Sequence, residues 1–348
     1  MAYTTINKST DYFNTVTYTG DGTTNQTKTI TFGFQPDWSW FKSRDAANSH
    51  VLVDAVRGGD KMLTSESTNA ETTLSVAQLF TSTGMTISND GSANSINSSS
   101  SSKVCWGWKA GNSAGSSNTD GSITSTVSAN TTAGFSIVTY TGNGSAGATI
   151  GHGLGVIPKM IIAKKLNGTP NWGVYHAGLG SATKYLELNT TAAAQVNAAV
   201  WDGAVPTASV FYVGSDNKVN SSGDTYVAYC FAEKTGYSKF GSWTGNGNAD
   251  GTFVYTGFKP EFVILKNASG TNQWLMFDNA REPFNVMGTY LEPNSSAAEA
   301  NFDGFDFLSN GIKMRTSNGA WNTSGSTYIY MAFGQSLVGD NNVPCTAR

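Results

Sequence analysis

The chain has 348 residues, of which 13% are charged and 12% aromatic, and its formal net charge is −3. This length exceeds what one ordinary core supports and therefore predicts two or three domains. The near-neutral charge and the lack of a basic run argue against a nucleic-acid partner. No apolar run of about 18 residues is present, so no membrane insertion is expected.

The N-terminal segment MAYTTINKST has no basic stretch followed by an apolar one, so no secretory signal is expected. Three cysteines, Cys105, Cys230 and Cys345, lack the spacing of a metal site. We interpret them as free thiols of a protein made in a reducing cytoplasm. The sequence predicts no cofactor and no bound metal.

One turn motif occurs three times, as TYTGDG (17–22), TYTGNG (139–144) and SWTGNG (242–247). The same landmarks follow each turn in the same order: a G-x-x-P, two apolar runs, a Leu-containing polar segment and an aromatic run. The closing runs are KVCWGW, YVAYCF and YIYMAF. Such self-similarity predicts three copies of one domain of roughly 100 residues.

These landmarks place repeat 1 at residues 1–110, repeat 2 at 135–236 and repeat 3 at 237–348. Residues 111–134 are rich in Ser, Thr, Gly and Asn and are predicted to form a flexible linker. Repeats 2 and 3 abut without a linker, which predicts a stiff pair and a looser first domain. Short strands separated by polar turns favour an all-β fold with three tandem β-sandwich or jelly-roll domains.

The closing runs also predict which residues are buried, because alternate residues of a strand point to opposite faces. One face is large and apolar in all three copies, which predicts core positions at Trp106, Tyr229 and Met331. Capping-box patterns after Thr68 and Ser296, with a weaker equivalent after Thr191, predict one short helix per repeat.

The repeated turn has two interpretations. Asp or Asn beside Gly supplies the positive-φ residues of a tight hairpin. The oxygens of Asp21, Asn143 and Asn246 could instead form an ion or sugar site. The turn interpretation is preferred because two of these three residues are amides and no carboxylate cluster is nearby in sequence.

Motifs that resemble enzyme signatures lack the required context. GNGSAG (142–147) is followed by a glycine-broken, strand-like segment, and GNSAG (111–115) lies in the linker. The histidines have no metal-site spacing. An acid and a base recur as Asp54/Arg57 and Asp278/Arg281, either as a catalytic pair or as an ion pair that pins a loop. Because repeat 2 lacks the pair, the structural interpretation and a non-enzymatic protein are favoured.

Aromatic residues are the remaining candidates for binding. Rings at loops can stack on the apolar faces of sugars, and the same rings fill sandwich cores. Candidate glycan contacts are Trp201, Trp243 and Trp321. Candidate interface contacts are Tyr226, Tyr328 and Tyr330, because tyrosine buries ring area and keeps a hydroxyl; stacking of sheets within the domain is the competing explanation.

Long phrases of the chain, among them GFQPDWSWFKSRD, IGHGLGVIPKMIIAKK and PFNVMGTYLEPNSSAAE, resemble a repeat family of marine and cyanobacterial bacteriophages. The resemblance covers essentially the whole chain. It implies a virion protein with lectin-like β-sandwich domains and no catalytic residues. It also implies assembly in the host cytoplasm with other virion proteins.

The function expected from these observations is a non-enzymatic, tail-associated appendage (a fibre or receptor-binding protein) that contributes to host attachment. Its expected partners are other virion proteins, a host surface glycan or protein, and further copies of itself, with a trimer favoured. A capsid decoration or head-fibre protein is the alternative within this class. A capsule-degrading carbohydrate-active enzyme is a second alternative, and a bacterial surface adhesin is disfavoured by the expected lack of a signal.

Overall fold

A computed structural model describes residues 4–92 and 94–336. Within them the chain is all-β, with several separate sheets, two short α-helices and two short 3-10 turns, Ser9–Asp11 and Ala177–Leu179. No helix in these ranges is long and apolar enough to cross a membrane. Cys345 lies outside the described residues.

The strands follow the repeats. Repeat 1 contains β1 (Phe13–Thr19), β2 (Lys28–Thr31), β3 (Trp38–Ser43), β4 (Val51–Asp54), β5 (Gly58–Leu63), β6 (Thr72–Thr73), β7 (Leu79–Thr81), β8 (Gly84–Ile87) and β9 (Ser102–Trp108). The next segment contains β10 (Ser116–Asn118) and β11 (Ser125–Asn130).

Repeat 2 contains β12 (Phe135–Thr141), β13 (Ala148–Gly151), β14 (Met160–Lys165), β15 (Gly173–His176), β16 (Lys184–Glu187), β17 (Gln195–Val196), helix α1 (Ala198–Trp201), β18 (Val210–Val213) and β19 (Thr225–Phe231). Repeat 3 contains β20 (Ser238–Thr244), β21 (Phe253–Tyr255), β22 (Phe258–Asn267), β23 (Trp274–Asp278), β24 (Met287–Tyr290), β25 (Ala300–Leu308), β26 (Gly311–Met314), helix α2 (Gly319–Asn322) and β27 (Thr327–Ser336).

Each repeat builds its main sheet in the same order. The four central strands run β1-β9-β3-β4 in repeat 1, β12-β19-β14-β15 in repeat 2 and β20-β27-β22-β23 in repeat 3. All neighbouring pairs are antiparallel. The three closing aromatic runs therefore occupy equivalent strands, β9, β19 and β27, each in second place. A smaller sheet accompanies each set: β2-β8-β7, β13-β18 and β21-β26-β25-β24.

The segment between repeats 1 and 2 is ordered, which corrects the expectation of a flexible linker. Strand β11 pairs with β12 along its whole length and β10 extends the same sheet. The Asp37 carboxylate of repeat 1 accepts the backbone N–H groups of Ala110 and Asn112 at 2.7 and 3.0 Å. Backbone pairing and this buried carboxylate hold the segment against both neighbours, so its polar composition reflects exposed strands and turns.

The prediction of one short helix per repeat is only partly right. The segments 68–71, 191–194 and 296–299 contain no helix and lead directly into β6, β17 and β25; helix α1 begins at Ala198, within the stretch predicted for repeat 2, and α2 lies just before the closing strand of repeat 3. The extended segments bond to the neighbouring repeat: Glu71 N–H to Leu166 O, Ala194 N–H to Ala268 O, and Glu299 N–H to Arg44 O, each within 2.7–2.8 Å. These contacts replace the hydrogen bonds that a helix would have made.

The predicted core face is buried, but its partners are in other repeats. Trp106, Tyr229 and Met331 are each at most 1% exposed and belong to one cluster that contains residues of all three repeats. Its ring contacts cross between repeats, with Trp38 stacked on Tyr229 at 4.3 Å and Phe13 on Phe333 at 5.1 Å. We call this cluster the shared centre; it replaces the predicted looser first domain with three main sheets packed face to face.

The opposite face of each main sheet packs against the smaller sheet of the same repeat. Separate clusters join the two sheets in repeat 1, repeat 2 and repeat 3. The second faces of the closing strands therefore lie inside individual repeats, and the first faces hold the repeats together.

Equivalent side chains close the arrangement in a cycle. His50 Nε2 donates to Glu292 O in repeat 3 at 3.0 Å, Trp172 Nε1 to Thr64 O in repeat 1 at 3.1 Å, and Trp274 Nε1 to Glu187 O in repeat 2 at 3.0 Å. The donors occupy one position of the repeat and the acceptors another. Each repeat thus contacts the next in the same way, as a pseudo-threefold arrangement requires.

Candidate functional site

The repeated turn is clamped by a buried asparagine that sequence reasoning missed. Asn97, Asn220 and Asn322 stand five residues before the closing strands and are 0% exposed. Each donates its amide N–H to the turn side chain: Asn97 to Asp21 at 2.8 Å, Asn220 to Asn143 at 3.3 Å and Asn322 to Asn246 at 2.7 Å. Each also accepts the backbone N–H of that turn residue.

This geometry supports the turn interpretation. The closing glycines Gly22, Gly144 and Gly247 have φ of 77°, 74° and 67°. The turn joins strands of different sheets, such as β1 and β2, so it is a crossover and not the predicted hairpin. Hydrogen bonds from the Thr23 backbone N–H, the Thr23 hydroxyl and Asn97 lower the pKa of Asp21 to about 2. Among the described residues no group of His, Cys, Asp and Glu is arranged to hold a metal.

The three candidate tryptophans are all in cores, so none presents a free ring face. Trp201 is 1% exposed and packs between the sheets of repeat 2. Trp243 and Trp321 both belong to the apolar cluster of repeat 3, and Trp243 stacks on Tyr328 at 4.9 Å. Burying a large ring between two sheets stabilises the protein more than leaving that ring exposed at a loop.

The candidate interface tyrosines are internal as well. Tyr226, Tyr328 and Tyr330 lie between the two sheets of their own repeats. Tyr226 and Tyr328 each donate a hydroxyl to a backbone carbonyl, of Asn217 and of Gly319 in helix α2 respectively. The competing explanation, stacking of sheets within the repeat, is the one that the structure shows. Cys105 and Cys230 are free buried thiols in the same layers, and burial raises their pKa above the usual range.

The repeated acid–base pairs are locked inside the molecule. Asp54 Oδ2 accepts Arg57 Nε at 2.6 Å and the Tyr229 hydroxyl of repeat 2 at 2.8 Å. Asp278 Oδ2 accepts Arg281 Nε at 2.6 Å and Trp106 Nε1 of repeat 1 at 3.0 Å. The other oxygen of each carboxylate accepts two backbone N–H groups. Both pairs therefore pin a loop and tie it to the next repeat.

His176 takes the place of the aspartate in repeat 2. Its Nε2 donates to Tyr330 O of repeat 3 at 3.1 Å, and its Nδ1 accepts Gly178 N–H at 3.0 Å. His50 is held similarly, with Nδ1 accepting Trp40 Nε1–H at 2.8 Å. Burial lowers the pKa of His50 to about 3 and of His176 to about 4, so both rings are neutral at pH 7. His152 is also buried, its Nε2 donates to Thr207 O at 3.2 Å, and burial lowers its pKa.

A second repeated feature also escaped sequence reasoning: a buried lysine at the end of each first apolar run. Lys42, Lys164 and Lys266 are at most 1% exposed, and burial lowers the pKa of each to about 8. Their ammonium groups donate to backbone carbonyls, including Thr68 O from Lys164 and Thr191 O from Lys266 across repeat boundaries. The signal in the sequence was a charge at the same position of three otherwise apolar runs.

An open cleft of about 480 Å³ in repeat 3 is the best candidate site. Tyr290 and Phe302, both half-buried, flank the edge of Trp321 with ring centroids 6.0 and 5.3 Å from it. Strand β25 passes directly over the indole at Gly304, where a Cβ would lie 2.4 Å from the ring. The rest of the lining is rich in side-chain amides, and Glu292 is its only charged side chain. It consists of Asn272, Gln273, Asn301, Asn318, Glu292, Thr271, Leu275, Ala320 and, from repeat 2, Thr191.

Helix α2 brings two of the candidate residues, Trp321 and Asn246, close to this cleft. The Asn318 side chain caps the helix by accepting Ala320 N–H at 2.9 Å. Trp321 then points into the cleft wall, and the next residue, Asn322, clamps the turn at Asn246. In the core of repeat 3 the candidate Trp243 also contacts Tyr328 and Tyr330. Asp21 belongs to repeat 1, and Asn143, Trp201 and Tyr226 belong to repeat 2.

In repeat 2 the equivalent position is filled. Tyr185 and Glu187 correspond to Tyr290 and Glu292 in the segments YLELN and YLEPN. Lys218 corresponds to Ala320, since each lies two residues before the clamping asparagine. Lys218 Nζ sits over the Tyr185 ring at 5.3 Å and 3.6 Å from Glu187, whereas alanine at the same position leaves the cleft of repeat 3 open.

The fold and site together define an all-β protein in which three equivalent sets of sheets enclose a shared centre and one set carries an open, nearly uncharged cleft. The chain belongs to the family described as "Domain of unknown function (DUF7483)", whose model matches residues 8–336 and therefore spans all three repeats. No curated protein and no solved structure matches the chain.

Proposed function

We propose that this chain is a non-enzymatic structural protein of a bacteriophage virion, a tail-associated appendage that contributes to host attachment. The resemblance of its long sequence phrases to phage repeat proteins supports the virion assignment. In this proposal each repeat is a β-sandwich domain, since one apolar cluster joins the two sheets of every repeat.

The observation that carries the structural role is the locking of the only repeated acid–base pairs. Asp54 and Asp278 are 0% exposed, and both oxygens of each carboxylate accept hydrogen bonds within the protein. A carboxylate that acts as a general acid or base has to reach substrate. These groups instead hold the repeats together, as suits a rigid scaffold that presents loops from a fixed frame.

The proposal includes association with other virion proteins. The tyrosine face expected to mediate a homotrimer is internal, so any contact between copies must use outer surfaces. The chain already places three equivalent sheets around one centre, and this internal arrangement supplies the symmetry that a trimer would otherwise provide. Sedimentation of the purified chain tests self-association: a species heavier than the 36.7 kDa monomer supports it.

The position of the protein in the particle tests the proposed function. Antibody labelling of purified particles in electron micrographs should place the protein on the tail. Label over the shell would favour capsid decoration. Absence of the protein from purified particles, or release of reducing sugar from host polysaccharide by the purified chain that one Asp or Glu substitution abolishes, would contradict the proposal.

A further inference from the structure

We infer that the open cleft of repeat 3 binds a neutral saccharide. The role of such binding in attachment rests on the proposed function, but the binding itself is a property of the purified chain. A volume of about 480 Å³ falls within the range of small-molecule sites and suits one or two sugar rings.

The lining offers the two kinds of contact that a sugar needs. The half-buried rings of Tyr290 and Phe302 both contact Trp321, at 84° and 34° to the indole plane, and offer apolar area for the C–H face of a pyranose. The side-chain amides supply donors and acceptors for hydroxyl groups. Within the described residues, the amide nitrogens of Asn301 and Asn318 and the Tyr290 hydroxyl donate to no protein group, so they are available to a ligand.

Other polar groups of the cleft are fixed in place. Gln273 Nε2 donates to Glu292 Oε2 at 3.1 Å, and the Gln273 side-chain oxygen accepts the side-chain amide of Asn294. Lys266 Nζ donates to the backbone carbonyl of Asn272 at 2.7 Å. A preorganised lining reduces the conformational entropy lost on binding.

Charge decides which sugars fit. Glu292 is the only charged group in the lining, and no basic side chain lines the cleft to pair with an acidic sugar. Glu292 is half-buried and burial raises its pKa, so little water is available to screen its carboxylate. A uronic acid would add a second negative charge there, so the geometry selects neutral sugars over acidic ones.

Repeat 2 provides the variant that tests the inference. Ala320→Lys copies Lys218 and should place a lysine over Tyr290, as Lys218 lies over Tyr185. Tyr290→Ala removes one of the two half-buried rings of the cleft without filling it. The matched control is Lys218→Ala, which alters the equivalent place in repeat 2 and leaves the cleft of repeat 3 intact.

Saturation-transfer NMR on the full chain would use the methyl glycosides of glucose, galactose, mannose and N-acetylglucosamine, with methyl glucuronide as the acidic probe. We expect at least one neutral glycoside to receive saturation and methyl glucuronide to receive none. Ala320→Lys and Tyr290→Ala should each weaken binding on the order of tenfold, which corresponds to about 1.4 kcal/mol. Lys218→Ala should retain it.

No transfer to any neutral glycoside, or transfer that folded Ala320→Lys and Tyr290→Ala proteins both retain in full, would overturn the inference. Backbone spectra of each variant establish that it is folded. A purified chain that binds sugar but is absent from the particle would leave the cleft assignment in place and defeat the attachment role. A tail-located chain that binds no neutral glycoside would do the opposite.

Discussion

The shared centre and the outer clefts show opposite behaviour across the repeats. At the centre, equivalent positions make equivalent contacts: His50, Trp172 and Trp274 all donate to a carbonyl of a neighbouring repeat. At the periphery, equivalent positions diverge, with Lys218 covering Tyr185 in repeat 2 and Ala320 leaving Tyr290 open in repeat 3. The repeated positions therefore hold the three repeats together, and function should be sought at positions where the repeats differ.

The largest expected effect is at the centre. Trp106→Ala should lower the free energy of unfolding by about 3–5 kcal/mol, because it opens a large cavity and leaves Asp278 without one of its donors. Chemical denaturation followed by circular dichroism measures it. Trp106→Phe is the matched control, since it keeps an aromatic ring at the site and loses the indole N–H and the volume of one fused ring, so it should cost less than Trp106→Ala. An unchanged denaturation midpoint in Trp106→Ala would show that the centre does not hold the repeats.

Acid should weaken the centre through two histidines. In the folded protein the pKa of His50 is about 3 and that of His176 about 4, below the ordinary value of 6.5. Because the folded state binds fewer protons than the unfolded chain between these values, the free energy of unfolding falls as pH decreases below about 6.5. At pH 5 the loss should be roughly 2 kcal/mol per histidine.

The surroundings of the two rings reinforce this direction. In both, Nδ1 already accepts an N–H, so a second ring proton has no acceptor. Lys42 and Arg281 add positive charge near His50, and the Glu66 carboxylate accepts the His50 backbone N–H. Denaturation at pH 7 and pH 5 tests the effect, and His50→Gln should reduce the difference between the two pH values. An equal pH dependence in wild type and variant would contradict the assignment.

The turn clamps allow a smaller and sharper comparison. Asn220→Ala and Asn322→Ala should each cost about 1–3 kcal/mol, because each removes a fully buried side chain that makes several hydrogen bonds to the backbone of the turn and of nearby loops. Only Asn322→Ala should also disturb the cleft, since helix α2 carries Trp321. Thermal melting would measure the first effect and NMR shifts of the Tyr290 ring the second. Equal chemical-shift changes of the Tyr290 ring in the two variants would mean that the Asn322 clamp does not position the cleft.

The smallest effect is expected at Lys218. Lys218→Ala removes a partly exposed ion pair with Glu187 and Asp216 and a contact with the Tyr185 ring. Such pairs contribute about 0–1 kcal/mol, so the melting temperature should hardly change. Chemical shifts should change around Tyr185 and not around Tyr290. A large loss of stability would mean that the lysine supports repeat 2 and does not merely fill a cleft.

Sequence reasoning reached the all-β class, the equivalence of the closing strands and the burial of Trp106, Tyr229 and Met331. It could not reach the shared centre, because strand periodicity shows that a face is buried but not which surface covers it. Tyr226, Tyr328 and Tyr330 were considered for the outside for the same reason. The capping-box patterns failed because Glu71 and Glu299 use their backbone N–H groups to reach the next repeat.

The candidate site was only partly accessible from sequence. Trp321 was identified as an aromatic candidate, yet it contributes an edge to a wall made by Tyr290 and Phe302, which come from other strands. The clamp by Asn322 gave no local signal, since its partner Asn246 lies 76 residues away. The buried lysines were visible as a repeated charge, but a charge after an apolar run ordinarily marks a solvated strand end.

Packing around the shared centre should make the three repeats one cooperative folding unit. Differential scanning calorimetry of the full chain tests this most directly. We predict one transition whose calorimetric and van't Hoff enthalpies agree, because no repeat can unfold without exposing the centre of the other two. Two or three separate transitions, with repeat 1 melting independently of repeats 2 and 3, would contradict the account.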